Sequence, residues 1–91
     1  MKHNVYFDGK VQSLEVNTEN GPATIGVITP GQYTFGTSTQ EKMVITSGTL
    51  KVKLPEQEWR KVASGEFFTV PQGVSFVVEA EQDVSYLCYY F

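Results

Sequence analysis

The sequence predicts an all-β domain: an antiparallel, double-sheet barrel of the jelly-roll type, with residues 1–91 forming a single domain. Three observations predict it. No stretch sustains an apolar stripe at i, i+3, i+4 and i+7, so amphipathic helices are not expected. Short runs rich in β-branched and aromatic residues recur along the chain. Glycine- and proline-containing turns punctuate them regularly, which is the pattern of a sandwich or barrel.

The elements follow in chain order. Residues 5–7, Val-Tyr-Phe, read as an edge strand that ends in the Asp8-Gly9 turn. A small barrel often covers such an edge with a second copy of itself, so a homodimer is expected. Residues 23–28 form the next run, bounded by Asn20-Gly21-Pro22 and Pro30-Gly31. Residues 32–35 follow, with Tyr33 and Phe35 on one face. Residues 43–46 lead into Ser47-Gly48-Thr49, where glycine permits a tight turn. Residues 49–54 alternate cleanly: Leu50, Val52 and Leu54 on the buried face, Lys51 and Lys53 on the wet one. A polar stretch over 56–61 carries Trp59 and connects to residues 67–70. Pro71 lacks an N–H and should end that strand. The run 75–79 aligns Phe76 with Val78, and the run 84–91 aligns Tyr86, Cys88 and Tyr90.

Composition narrows the function. The 91 residues allow one small domain, and a hydrophobic share of 41% is enough for one core. The net charge is −3 and the seven basic residues are scattered. Nucleic-acid binding needs a basic face that displaces counterions, so none is expected. Cys88 is the only cysteine, so no internal disulfide can form and a reducing compartment fits. The chain starts Met-Lys-His-Asn without an apolar h-region, so no signal peptide is expected. No apolar run approaches the ~18 residues of a membrane span. A soluble, cytoplasmic protein is the expectation.

Few residues can carry chemistry. His3 is the only histidine and lies near a terminus expected to fray, which argues against a catalytic triad. Metal sites need converging ligands, and one His with one Cys does not supply them. No metal or other cofactor is expected. Glu41 shares a face with apolar Met43 and Ile45. If that face is interior, desolvation favours the neutral acid, which suits a proton donor. At the rim instead, Glu41 would pair with Lys42 or a turn amide. The hydroxyl run Thr37-Ser38-Thr39 suits an oxyanion, although such loops are more often plain connections. Tyr33, Phe35, Phe76, Tyr86 and Tyr90 form either a stacking cup for a flat heterocycle or ordinary core. Cys88 sits among apolar neighbours with nothing to lower its pKa, as an inert core thiol.

Two spaced motifs resemble the paired signatures of the cupin family. The first runs from Gly31 through Glu41 to Gly48, and the second from Gly65 through Pro71 and Gly73 to Phe76. Metal-binding cupins carry a His-x-His pair before the glutamate and a histidine at the place of Phe76. Both are missing here, which argues against a metal-dependent cupin dioxygenase or isomerase. Over nearly the whole chain the sequence resembles the small cupin family of pyrimidine/purine nucleoside phosphorylases. The resembling stretches include Tyr6-Phe7-x-Gly9-Lys10-Val11, Tyr33-Thr34-Phe35-x-Thr37, Glu41-x-Met43, Ile45-x-Ser47-Gly48, Val70-Pro71, Ser75-Phe76 and Tyr86-Leu87-Cys88-x-Tyr90. Some relatives carry a basic residue between the last cysteine and tyrosine, where this chain has Tyr89.

The resemblance implies a cupin-type double-stranded β-helix and metal-independent phosphorolysis. Inorganic phosphate attacks C1′ of a purine or pyrimidine nucleoside, giving free base and ribose 1-phosphate. For that chemistry the expected catalytic residues are Glu41, as donor to the departing base or as partner of the ribose hydroxyls, and Thr37, with Tyr33, Phe35, Ser38, Thr39, Met43, Phe76, Tyr86 and Tyr90 around the substrate. The alternative on the same fold is a non-catalytic cupin module that binds or senses a small metabolite.

Overall fold

Two antiparallel sheets stack to form the molecule, described by a computed structural model covering all 91 residues. Ten strands form in chain order. They are β1 (His3–Tyr6), β2 (Val11–Thr18), β3 (Gly21–Ile28), β4 (Gly31–Gly36), β5 (Glu41–Ser47), β6 (Thr49–Lys53), β7 (Arg60–Ala63), β8 (Phe67–Val70), β9 (Ser75–Ala80) and β10 (Val84–Tyr90). The larger sheet has the order β1-β2-β3-β10-β5-β8 and the smaller β4-β9-β6-β7. No strand pairing joins the two sheets, so the barrel is open, while the all-β antiparallel class is as expected.

Alternation builds the core. Leu50, Val52 and Leu54 point inward and are buried, and Lys51 and Lys53 point out. Opposite them stand Ile45, Phe68, Val70 and Val84 of the larger sheet, also buried. Each such side chain contributes about 1.5–3 kcal/mol on burial. Gly48 makes the β5–β6 turn at φ 82°, with the Asp83 carbonyl 2.9 Å from where a Cβ would sit. Both the backbone angle and the space require glycine there.

Three local features depart from the expected runs. β2 and β7 did not stand out in the sequence. In β2 the inward positions are Val11, Ser13 and Glu15, while Leu14 and Val16 point out. Its apolar residues change face along the strand, which hides the period-2 signal. β7 is a short edge strand inside the polar connection, with Val62 its one buried member. The third departure is at residue 7. β1 stops at Tyr6, and the chain turns through Phe7 at φ 53° and Asp8 at φ 57°. Left-handed backbone is unfavourable for a bulky aromatic. The turn is held by the Lys10 N–H on the Phe7 carbonyl and by the Gln12 side-chain amide on the Gly9 carbonyl.

Candidate active site

The inner faces of the two sheets leave a cavity of about 400 Å³ between them. β5 contributes Glu41 and Met43, and β10 contributes Tyr86, Cys88 and Tyr90. Phe35 of β4 and Phe76 of β9 face them from the smaller sheet. Tyr6 and Phe7, each nearly half exposed, form part of the border.

A continuous set of rings makes one wall. Phe7 meets Tyr33 at 4.9 Å and Phe35 at 5.5 Å between centroids. Phe35 and Phe76 lie 5.9 Å apart and tilted by 31°, and Phe76 meets the core ring Phe68 at 6.1 Å. The strained turn therefore serves a purpose: it folds Phe7 back onto this wall. Phe35 and Phe76 already touch, so a flat ligand can lie against them but not between them.

Glu41 is the only residue of the cavity wall that can carry charge at neutral pH; no lysine, arginine or histidine lines it. The alternation that predicted an inward Glu41 describes its position beside Met43. Burial raises its pKa above the ordinary carboxylate value, partly offset by a hydrogen bond from the Cys88 thiol to Oε1 at 3.5 Å. Burial and the adjacent carboxyl push the Cys88 pKa far up, so this thiol stays protonated. Tyr90 stands across from Glu41 in the β5–β10 register and exchanges a hydrogen bond with Thr24 at 2.9 Å. Burial drives its pKa up as well. Tyr86, pushed up to about 12 chiefly by burial, lays its ring across Gly26. A Cβ on Gly26 would stand 2.5 Å from that ring. The glycine is thus what lets the Tyr86 phenol lie flat on the cavity floor.

Not every expected residue reaches the cavity. Of the hydroxyl run, only Ser38 lines it. Thr37 is buried, donates to the Pro71 and Val74 carbonyls at 2.7 and 3.3 Å, and accepts from the Val74 N–H at 3.1 Å. Its hydroxyl is fully engaged in clamping the Pro71–Gly73 turn, so it is not free for substrate. Thr39 also lies off the wall, and its buried hydroxyl has no partner in the protein. Tyr33 sits behind the wall, with its hydroxyl donating to the Thr29 and Pro30 carbonyls. Tyr6, Phe7, Ser13 and Cys88 are cavity residues that the sequence did not mark as such. An aromatic pair before an Asp-Gly turn was the available signal for the first two. The left-handed path that aims Phe7 inward leaves no trace in residue spacing.

Comparison with known proteins places this geometry. The family model of the pyrimidine/purine nucleoside phosphorylases matches residues 1–90. The chain belongs to this family. A pyrimidine/purine nucleoside phosphorylase of Pseudomonas aeruginosa is 50% identical over 90 residues, covering 98% of this chain and 97% of that one. One from Magnetococcus marinus is 47% identical over 91 residues, covering 99% and 98%. A crystal structure of a Vibrio parahaemolyticus protein of unknown function superposes with a TM-score of 0.93 at 41% identity, covering 99% and 97%. A cupin-like protein of Thermotoga maritima superposes at 0.70 with 17% identity, which supports the cupin fold alone. The family's fold is thus a cupin sandwich that here keeps a cavity lined by rings and one acid.

Proposed function

We propose that this chain cleaves purine and pyrimidine nucleosides by phosphorolysis, with the reaction held in the ring-lined cavity. Membership of the family supports the activity. The single observation that carries the mechanism is a half-buried carboxyl, Glu41, in a cavity without any cation.

The base lies against Phe7, Phe35 and Phe76. Stacking accepts either base class, because every base has a π-face. Steep discrimination needs polar groups that read base edges, and this wall is apolar. A phosphate oxygen forms the new bond to C1′ while the C1′–N bond breaks. The bonding pair leaves with the base nitrogen, which takes a proton from Glu41. The proton on the attacking phosphate then restores the acid. Burial shifts Glu41 toward its protonated form, and in that form it serves twice: it supplies the proton, and it removes a negative charge from beside an incoming anion. Ser38, the one member of the hydroxyl run on the wall, is the donor assigned here to phosphate. Tyr86, Met43 and Tyr90 shape the remaining wall around the ribose. Thr37 acts at a distance, by fixing the turn that follows β8.

The protein works as a cytoplasmic homodimer in this reading, in keeping with its buried free thiol and its nucleoside substrates. The competing reading is a binding module that holds a small metabolite, favoured by the absence of a cation to fix phosphate. Incubation with inosine or uridine separates the two. Base released only when phosphate is present supports the phosphorylase. Release without phosphate indicates a hydrolase, and no release in either buffer indicates the binding module.

A further inference from the structure

The cavity occupies the inner face of the six-stranded sheet; its outer face carries a different signal. The strand registers align Leu14 with Ile25, Ile25 with Leu87, Leu87 with Val44, and Val44 with Phe67. Five apolar side chains thus form one unbroken row across β2, β3, β10, β5 and β8. Leu14 is 43% exposed, Ile25 52% and Phe67 54%. Val27 and Val5 extend the patch and are also exposed. The only charged outward residue on these five strands is Lys42, and its ammonium lies 4.4 Å from the centre of the Phe67 ring.

The smaller sheet provides the comparison within the same molecule. Its outer face carries Lys51, Lys53, Lys61 and Glu79, with Lys51 paired to Glu79 and Glu81 at 3.5 and 2.8 Å. That is how this sequence composes a face that meets water. The six-stranded face is composed like the half of a core.

We infer that the outer face of the six-stranded sheet is the contact by which two copies of this chain pair face to face. The inference rests on the homodimer reading above and specifies its surface, which is the sheet face rather than the free edge of β1. Six strands at ~4.8 Å spacing and about five residues of length at ~3.3 Å give a face of about 24 by 17 Å, roughly 400 Å² in projection. The largest apolar patch on a typical monomer is about 300–600 Å² and is often functional. A standard interface needs about 800 Å² per partner. The row supplies the apolar centre of such an interface, and the surrounding Gln12, Thr46 and Thr69 supply a polar rim.

A second copy fits better than a different protein because the row matches itself. A two-fold axis in the interface and parallel to the strands brings Leu87 against its own equivalent. The same axis sets Ile25 opposite Val44 and Leu14 opposite Phe67, so each β-branched chain meets a β-branched chain and each long chain a long one. The one charge on the face, Lys42, lies along Phe67. Such isologous contacts close at two copies.

Light scattering coupled to gel filtration tests the inference on the whole chain at tens of micromolar. The wild-type protein should elute at twice the 10.2 kDa chain mass. Ile25→Asp and Phe67→Asp should each elute at the chain mass. Both sites are more than half exposed, so neither change empties the core. Both variants should keep wild-type nucleoside phosphorolysis, which shows that they fold. A wild-type dimer that survives both substitutions would overturn the assigned face and leave the homodimer reading standing. A wild-type monomer would overturn both.

Discussion

Gly26→Ala should pin down how the cavity floor is made. The added methyl would lie 2.5 Å from the Tyr86 Cζ and hydroxyl and 2.8 Å from its Cε1. An ordinary contact is roughly 3.5–4 Å, so the ring must move by about 1 Å or more. Tyr86 is buried against the core cluster, so the ring has only the cavity to move into. Overpacking of this kind costs about 1–3 kcal/mol. Alanine returns about 0.5–1 kcal/mol through the smaller entropy of the unfolded chain. The expected net loss is up to about 2.5 kcal/mol, or a fall in Tm of up to about 20 °C for a domain of this size. Urea unfolding of Gly26→Ala, Tyr86→Ala and the double variant isolates the effect. With the ring removed, the same alanine should cost nothing or stabilise slightly, giving a coupling energy of about 1–3 kcal/mol. The single variant should also raise KM for nucleoside, because the displaced ring takes cavity volume. An equal cost of Gly26→Ala in both backgrounds would refute this account of the floor.

Three further outcomes are expected. Phe7→Ala should raise KM for purine and pyrimidine nucleosides alike, by about 5- to 150-fold if a stacking contact of about 1–3 kcal/mol is lost; a change confined to one base class would show that Phe7 reads the base edge. Thr37→Val should destabilise the fold by about 1–3 kcal/mol, because it leaves the part-buried Val74 N–H without its hydroxyl acceptor, while kcat of the folded enzyme stays near wild type; a loss of kcat at unchanged stability would return Thr37 to the chemistry. Glu41 gives the pH dependence. Its folded pKa is raised, so the folded state holds the proton more tightly than the unfolded chain. Stability is therefore greatest below the ordinary carboxylate pKa and falls as pH rises through the raised one. Glu41→Gln removes that loss, so its Tm advantage over wild type should be larger at pH 8 than at pH 4, and an advantage independent of pH would contradict burial as the cause.

Much of the fold was legible because one face of most strands meets the core. Leu50, Val52 and Leu54 alternate with Lys51 and Lys53, and the pattern gives both strand and facing. The same logic failed for β2, where the inward Ser13 faces a cavity rather than a packed core. A strand that lines a cavity has no reason to keep its inner face apolar. Glu41 was readable as an inward acid because its neighbours Met43 and Ile45 fixed the face. Thr37 and Ser38 were not separable: adjacent residues point opposite ways, and only the tertiary path shows which one meets the cavity. Phe7 was hidden for a related reason. Its contribution depends on two successive left-handed residues, which nothing short of the folded turn reveals. The outer row of the larger sheet was also invisible, because Leu14, Ile25, Leu87, Val44 and Phe67 come from five strands and become neighbours only through register.

The central claim is that one desolvated carboxyl drives base departure in a cavity with no cation. Single-turnover phosphorolysis of a nucleoside by Glu41→Gln, at saturating phosphate and neutral pH, tests it most directly. Loss of the acid should slow the step by about 10²–10⁴-fold while nucleoside affinity, read by equilibrium dialysis, stays close to wild type. An unchanged rate in the glutamine variant would remove Glu41 from the chemistry and with it the mechanism.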